Sequence, residues 1–185
     1  MNVNLINSIE ALLFGAGRPI RLSEIKNILE NNGIKSELSD IKKSLNSLEE
    51  RYLDTSIKIQ DVASGYRIQI KQEHSSYIGT LWNEKAPRIS KALMETISII
   101  AYKQPVTRGD IEDIRGVTVS TRSIRSLLER NWIKVSGYRD VPGRPTLYIT
   151  TKEFLDDLNI KNISDLPELP EKTEIIEDSI ISKAV

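Results

Sequence analysis

The chain has 185 residues with 26 basic and 26 acidic side chains, so its formal net charge is zero, and it contains one histidine and no cysteine. The length fits one ordinary domain or two small ones, and the composition is typical of a soluble globular protein. The lack of cysteine excludes disulfides, iron–sulfur clusters and thiol nucleophiles, and a single imidazole argues against zinc and iron sites.

The first half of the chain predicts three amphipathic helices followed by a β-hairpin. Gly15 and Gly17 are expected to end the first helix, because glycine favours the turn that follows a helix. Two short alternating runs, at residues 57–59 and 66–70, predict strands around a turn at residues 63–65. Apolar residues recur at helical spacing in three segments, which span residues 5–13, 22–29 and 41–48.

The second half predicts the same order of elements. Thr107 and Asp110 stand three residues apart, which is the spacing of a capping box at the start of a helix. Gly116 is expected to end that helix, and Ser120 or Thr121 is expected to cap the next one. The other predicted elements are a helix with apolar positions 93, 97 and 100, a helix with apolar positions 124, 127 and 128, and strands at 133–136 and 146–150.

The two halves form an internal repeat. Pro19-Ile20 and Pro105-Val106 occupy equivalent places, 86 residues apart. Three short helices followed by a hairpin is the order of a winged helix-turn-helix, so we predict a mainly α fold with small β wings (α+β), made of two such domains in tandem. The predicted boundaries are 1–80 for the N-terminal domain, 81–90 for a linker, 91–158 for the C-terminal domain and 159–185 for an acidic, proline-containing tail.

Two long motifs in the second half resemble the signature of the bacterial segregation and condensation protein B family, ScpB. They are IIAYKQPVTRGDIEDIRGV at residues 99–117 and VPGRPTLYITT at residues 141–151. The resemblance implies a non-enzymatic subunit of an SMC condensin-like complex. It also implies a homodimer that binds the kleisin ScpA, contacts the SMC ATPase through ScpA, and acts in chromosome condensation and segregation during cell division.

The same resemblance implies a location at the nucleoid. The first residues lack the pattern of a signal peptide, and no apolar run approaches the length of a membrane span. We therefore expect a cytoplasmic protein that needs no membrane, no small-molecule substrate and no cofactor.

The residues expected to bind ScpA lie mainly in the two motifs. Tyr102, Gln104, Pro105 and Arg108 interrupt the helical pattern, and aromatic and arginine side chains are common anchors of protein interfaces. Burial of Tyr102 within its own domain is the structural alternative. We assign partner binding to Tyr102, Gln104, Pro105, Arg108, Arg115, Tyr138 and Arg144. The N-terminal domain is expected to form the homodimer.

The charged residues are unevenly distributed along the chain. Residues 86–150 contain 11 basic and 6 acidic side chains, whereas residues 151–185 contain 4 basic and 9 acidic ones. Residues 1–85 are neutral, with 11 of each. A basic segment suggests a nucleic acid or an acidic protein surface as partner, and the acidic segment suggests a solvated extension or an interaction arm.

A DNA-binding regulator of the winged-helix type is the alternative function. Arg122 and Arg125 on the third helix of the second half, and Arg139 on its wing, are the candidate DNA contacts. The equivalent helix of the first half, at residues 36–51, has a net charge of −1 and would not attract phosphate. The second half keeps this possibility open, and an indirect or weak contact with DNA is compatible with both functions.

Metal binding and catalysis have little support in the sequence. Asp110, Glu112 and Asp113 could hold Mg²⁺, but acidic residues at a helix start also interact favourably with the helix dipole, which is the simpler interpretation. Gly15-Ala-Gly17 is only a fragment of a phosphate-binding loop. His74 has no nucleophile or orienting group near it in the sequence. We predict no metal site and no enzymatic activity.

Overall fold

The computed structural model describes residues 3–82, called here the first half, and residues 89–169, the second half. These residues form eight α-helices and two small antiparallel sheets, which confirms a mixed α and β fold. No helix in this part of the chain is long and apolar enough to span a membrane. In chain order the elements are α1 (Val3–Ala16), α2 (Leu22–Asn31), α3 (Leu38–Arg51), β1 (Ile57–Val62), β2 (Gly65–Ile70), α4 (Ser75–Trp82), α5 (Lys91–Lys103), α6 (Arg108–Arg115), α7 (Thr121–Glu129), β3 (Ile133–Tyr138), β4 (Thr146–Thr150) and α8 (Lys152–Asp157).

The first half folds around its own hydrophobic core. Helices α1, α2 and α3 each turn one apolar face inward, and the largest fully buried side chains include Ile9, Ile25, Ile41, Leu45 and Leu48. The last three recur at helical spacing along α3, as the sequence predicts. Each such burial contributes about 1.5–3 kcal/mol before the loss of side-chain entropy.

Helix α1 continues through Gly15 and ends at Ala16, so of the two predicted glycines only Gly17 stands at its end. Gly17 has a φ of 62°, which residues with a Cβ adopt only with strain. The chain then runs extended through Ile20, whose backbone exchanges two hydrogen bonds of 2.9 Å with Tyr66 on β2. This bridge adds a third chain segment to the β1–β2 hairpin.

The second half has a separate core built in the same way. Its fully buried side chains include Ile97, Ile100, Ile111, Leu127 and Ile133. An equivalent bridge pairs Val106 with Tyr148 on β4, through hydrogen bonds of 3.2 and 2.8 Å. Ile20 follows Pro19 and Val106 follows Pro105, the two prolines that lie 86 residues apart. The internal repeat is thus confirmed at the level of backbone pairing.

Two short helices are absent from the sequence predictions. Helix α4 occupies the end of the predicted N-terminal domain and the start of the predicted linker. Helix α8 follows β4 directly, begins at the cap residue Thr151, and buries Phe154 against Trp132, with ring centroids 5.8 Å apart. Such a six-residue helix depends on tertiary packing, because isolated helices of this length are unstable.

Residues from α8 onward join the two halves. The buried Asp156 accepts a hydrogen bond of 2.9 Å from the Ser64 amide, and its carbonyl accepts one of 2.8 Å from Arg67. Lys161 pairs with Asp61 at 2.6 Å. The first residues of the predicted tail therefore lie against the first half instead of extending into solvent. Residues 83–88 of the predicted linker and the tail from residue 170 lie outside the described residues.

Candidate partner-binding surface

The connection between α5 and α6 carries four of the predicted partner-binding residues. The Tyr102 hydroxyl donates a hydrogen bond of 2.5 Å to the Pro167 carbonyl. Gln104 Oε1 accepts hydrogen bonds from the amide and hydroxyl of Thr150, at 2.6 and 3.0 Å. These contacts hold the α5–α6 connection against β4 and the C-terminal segment. Pro105, in the same connection, is exposed.

Asp110 is the centre of a polar network at the start of α6. The predicted capping box is present, since the Thr107 amide donates to Asp110 at 2.8 Å and the Asp110 amide donates to the Thr107 hydroxyl at 3.2 Å. Arg139 adds two hydrogen bonds of 2.8 and 2.6 Å to the same carboxylate. The Arg139 guanidinium, and then the Thr107 amide, lower the pKa of Asp110 to about 2. The candidate DNA contact Arg139 is thus engaged in fixing the wing to α6.

Glu112 organises the end of α6 and the loop that follows. Its carboxylate accepts a hydrogen bond of 2.8 Å from the Val119 amide and pairs with Arg108 Nε at 2.9 Å. The Val119 amide and then Arg108 lower the pKa of Glu112. Arg108 also reaches the Thr121 hydroxyl at 3.4 Å, yet about half of its side chain is exposed.

Two of the three acidic residues of α6, Asp110 and Glu112, therefore have protein partners, in agreement with the helix-start interpretation, and Asp113 is exposed. Among residues 3–82 and 89–169, no group of three or more histidine, aspartate or glutamate side chains is placed to hold a metal ion.

Arg115 faces its own domain. Its side chain is 10% exposed and pairs with Glu95 on α5 at 2.9 Å. This pair ties α6 to α5, so the contact of Arg115 is intramolecular here.

The wing between β3 and β4 displays the predicted Tyr138 and Arg144. Tyr138 is 60% exposed, and Arg144 is exposed with no ion pair to any described residue. The Arg144 amide donates to the Val141 carbonyl at 2.9 Å, and Gly143 provides a φ of 85°, so the turn is closed by its own backbone. This turn holds both side chains outward.

Three exposed apolar residues lie near this surface in sequence and were missed by sequence reasoning. Ile114 and Val117 flank the glycine that ends α6, and Val141 lies on the wing. The sequence does contain a signal for them, because each is an apolar residue at a helix end or in a turn, where polar residues are expected. Exposed apolar side chains beside tyrosine and arginine have the composition of a protein interface.

The arginines of the third helix differ from those of α6 and the wing. Arg122 and Arg125 on α7 are exposed and form no ion pair within the described part of the chain. Arg130, just after α7, lies 5.5 Å from the centroid of the Trp132 ring. Arg122 and Arg125 thus lack the carboxylate partners that the arginines of α6 and Arg139 on the wing have.

The fold and this surface define a class of protein: a small interaction module that presents tyrosine, arginine and apolar side chains to a partner. Comparison with known proteins then identifies the family. The family model for the segregation and condensation complex subunit ScpB matches residues 7–169, and the chain belongs to this family. The membership expected from the motifs at residues 99–117 and 141–151 is confirmed.

Individual relatives are similar over most of their length. The segregation and condensation protein B homolog of Coxiella burnetii is 42% identical over 167 residues, which cover 90% of this chain and 79% of the relative. The segregation and condensation protein B of Clostridium tetani is 41% identical over 169 residues, covering 90% and 86%. A crystal structure of the dimer of an ScpB N-terminal domain complexed with an ScpA peptide has 24% identity and a TM-score of 0.38, and covers 48% of this chain and 94% of that one.

Proposed function

We propose that the protein is a non-enzymatic adaptor of an SMC–ScpA–ScpB condensin-like complex, which binds the kleisin ScpA as a homodimer. Through ScpA it contacts the SMC ATPase, and it acts at the nucleoid in chromosome condensation and segregation. The observation that carries this proposal is the match of the ScpB family model to residues 7–169.

Each half is, in this proposal, a winged helix-turn-helix domain. Support comes from the shared order of three helices and a hairpin, and from the equivalent bridges at Ile20 and Val106. The N-terminal domain forms the dimer, and the C-terminal domain binds ScpA. Two exposed apolar residues one turn apart on α4, Tyr77 and Leu81, are suited to self-association.

Direct contact with ScpA is best supported for the predicted residues that face solvent. These are Pro105, Tyr138 and Arg144, with the half-exposed Arg108 beside them. Among the other predicted residues, Tyr102 is 36% exposed although its hydroxyl is bonded to the Pro167 carbonyl. Gln104 and Arg115 are instead engaged with Thr150 and Glu95 of the same chain.

The adaptor function is tested by titrating the full-length protein with ScpA from the same genome. We expect a stable complex, and light scattering of this protein alone should give a dimeric mass. No binding at micromolar concentration would overturn the adaptor function. Exchange of both Tyr77 and Leu81 for glutamate should give a monomer, whereas Lys42→Glu on the exposed side of α3 should leave the dimer intact.

The binding surface is tested with Arg144→Ala. A solvent-exposed arginine without an ion pair should contribute little to folding, so melting should hardly change. At an interface anchor the same change should weaken ScpA binding by about 2 kcal/mol, or about 30-fold in Kd. The matched control is Arg21→Ala, an exposed arginine of the first half that forms no ion pair with a described residue. A lower melting temperature with unchanged ScpA affinity would make Arg144 a structural residue instead.

A further inference from the structure

Helix α7 presents a basic surface that the adaptor function does not use. Ile124 and Leu127 turn into the core, and Arg122 and Arg125 stand on the exposed side, about 4.5 Å apart along the helix axis. Neither guanidinium forms an ion pair with a described residue. Glu129, the last residue of α7 and the only carboxylate of that helix, lies one turn from Arg125 but forms no ion pair with it.

Ion pairing elsewhere concentrates the positive charge of residues 86–150 on this surface. Residues 86–150 carry five more basic than acidic side chains. Three of the six acidic side chains are engaged by arginines that lie off α7, in the pairs Arg108–Glu112, Arg115–Glu95 and Arg139–Asp110. Among the described arginines of this segment, those left without a carboxylate are on α7, at its end and at the wing tip.

An open groove runs beside α7, against the start of α5. Its described lining includes Arg122, Arg130 and the serines Ser90, Ser123 and Ser126, and no carboxylate. Its volume of about 430 Å³ is ample for a phosphate group. Guanidinium groups and hydroxyls are the side chains that most often contact the sugar–phosphate backbone of DNA. The groove near Arg18 and Arg21 in the first half is different, because Glu24, Glu153 and Asp156 line it as well.

The chemistry of the α7 surface favours a phosphate backbone over an acidic peptide. A peptide partner needs apolar or aromatic anchors. The more exposed of these lie on the wing and at the end of α6, whereas α7 exposes only Leu128, at 37%. We propose that Arg122, Arg125 and Arg130 bind the phosphate backbone of double-stranded DNA without recognising its sequence. The protein would then contact DNA directly, beside and independently of its contact with ScpA.

Three phosphate contacts predict a characteristic salt dependence. The slope of log K against log salt is about −0.9 for each contact, so three contacts give about −2.7. Affinity should therefore fall about 40-fold when salt rises from about 50 to 200 mM. A protein that binds through apolar anchors would show a much smaller change.

The test is fluorescence anisotropy of a labelled double-stranded DNA with the full-length protein, alone and in complex with ScpA. The double variant Arg122→Gln with Arg125→Gln should bind more weakly and reduce the slope by about 1.8. Its melting temperature and its affinity for ScpA should stay at the wild-type values, since both side chains are exposed and unpaired. The matched control is Arg18→Gln with Arg21→Gln, two exposed arginines of the first half.

Four outcomes would overturn the proposal. They are no DNA binding by the wild type in either form, wild-type affinity and slope in the α7 variant, an equal loss in the control, and loss of ScpA binding with intact DNA binding. The last outcome would assign the α7 surface to a protein partner. Because ScpA and DNA are measured separately, failure of this proposal is distinct from failure of the adaptor function.

Discussion

Replacement of Asp110 by asparagine should destabilise the second half while keeping the start of α6 in place. Asparagine retains an oxygen that can accept the hydrogen bond of 2.8 Å from the Thr107 amide, but it has no charge to pair with Arg139. The variant therefore isolates the ion pair that fixes the wing to α6.

The lowered pKa of Asp110 sets the size of this effect. A fall from the ordinary 3.8 to about 2 corresponds to about 2.4 kcal/mol, at 1.36 kcal/mol per pKa unit. Solvent screens the pair, since 28% of the Asp110 side chain and 41% of the Arg139 side chain are exposed. We therefore expect the variant to lose about 1–1.5 kcal/mol of unfolding free energy at pH 7.

The unfolding free energy lost in the Asp110→Asn variant should become smaller as pH falls. A carboxylate whose pKa is lower in the folded chain stabilises that chain above its unfolded pKa, here 3.8, and this contribution disappears as pH falls through the folded pKa, about 2. The difference between wild type and variant should be constant from about pH 7 to 5 and reduced by about half at pH 3.

Urea denaturation at several pH values, followed by circular dichroism, measures this difference. Asp113→Asn is the matched control, because Asp113 is an exposed carboxylate on the same helix. Equal stability of the wild type and the Asp110 variant at pH 7, or a difference that persists undiminished at pH 3, would refute the assignment of the energy to the ion pair.

Substitutions at Gly65 and Gln104, each with a matched control, test the packing of the two halves. Gly65→Ala should cost about 3 kcal/mol or more, because the new Cβ would lie 2.3 Å from the Ile20 carbonyl oxygen at a φ of 137°. Gly79→Ala, whose Cβ meets nothing within 4 Å, should instead raise stability by up to about 1 kcal/mol, and thermal melting compares the two. Gln104→Ala should cost about 1–3 kcal/mol in urea denaturation, since the Thr150 amide loses its acceptor, while Gln104→Glu should retain more stability. Wild-type stability of Gly65→Ala or Gln104→Ala would contradict these contacts.

Local sequence patterns were sufficient to predict most helices and both hairpins. Ile41, Leu45 and Leu48 define the buried face of α3 by spacing alone, and Gly17 ends α1 through its own backbone freedom. The capping box at the start of α6 joins residues only three positions apart. Such signals are short-range, so they can be recognised without knowledge of the fold.

The same local signals gave no indication of α8, whose stability comes from a distant partner. Phe154 packs on Trp132, and Asp156 reaches Ser64 across 92 residues of chain. A six-residue segment has too few apolar positions for a periodic pattern. Its helical state, and its role in joining the halves, therefore depended on tertiary packing.

The candidate site shows the same division between local pattern and tertiary contact. The sequence alone determined the family, the repeat and the basic character of residues 86–150, because motifs, spacing and charge are properties of the linear chain. It could not distinguish Arg139 from Arg125, since both are arginines in a basic segment. Only the tertiary structure brings Asp110 to Arg139 across 29 residues and leaves Arg125 facing solvent. Ion pairing acts over a few ångströms in space, so the fold decides which charges are neutralised and which remain available to a partner.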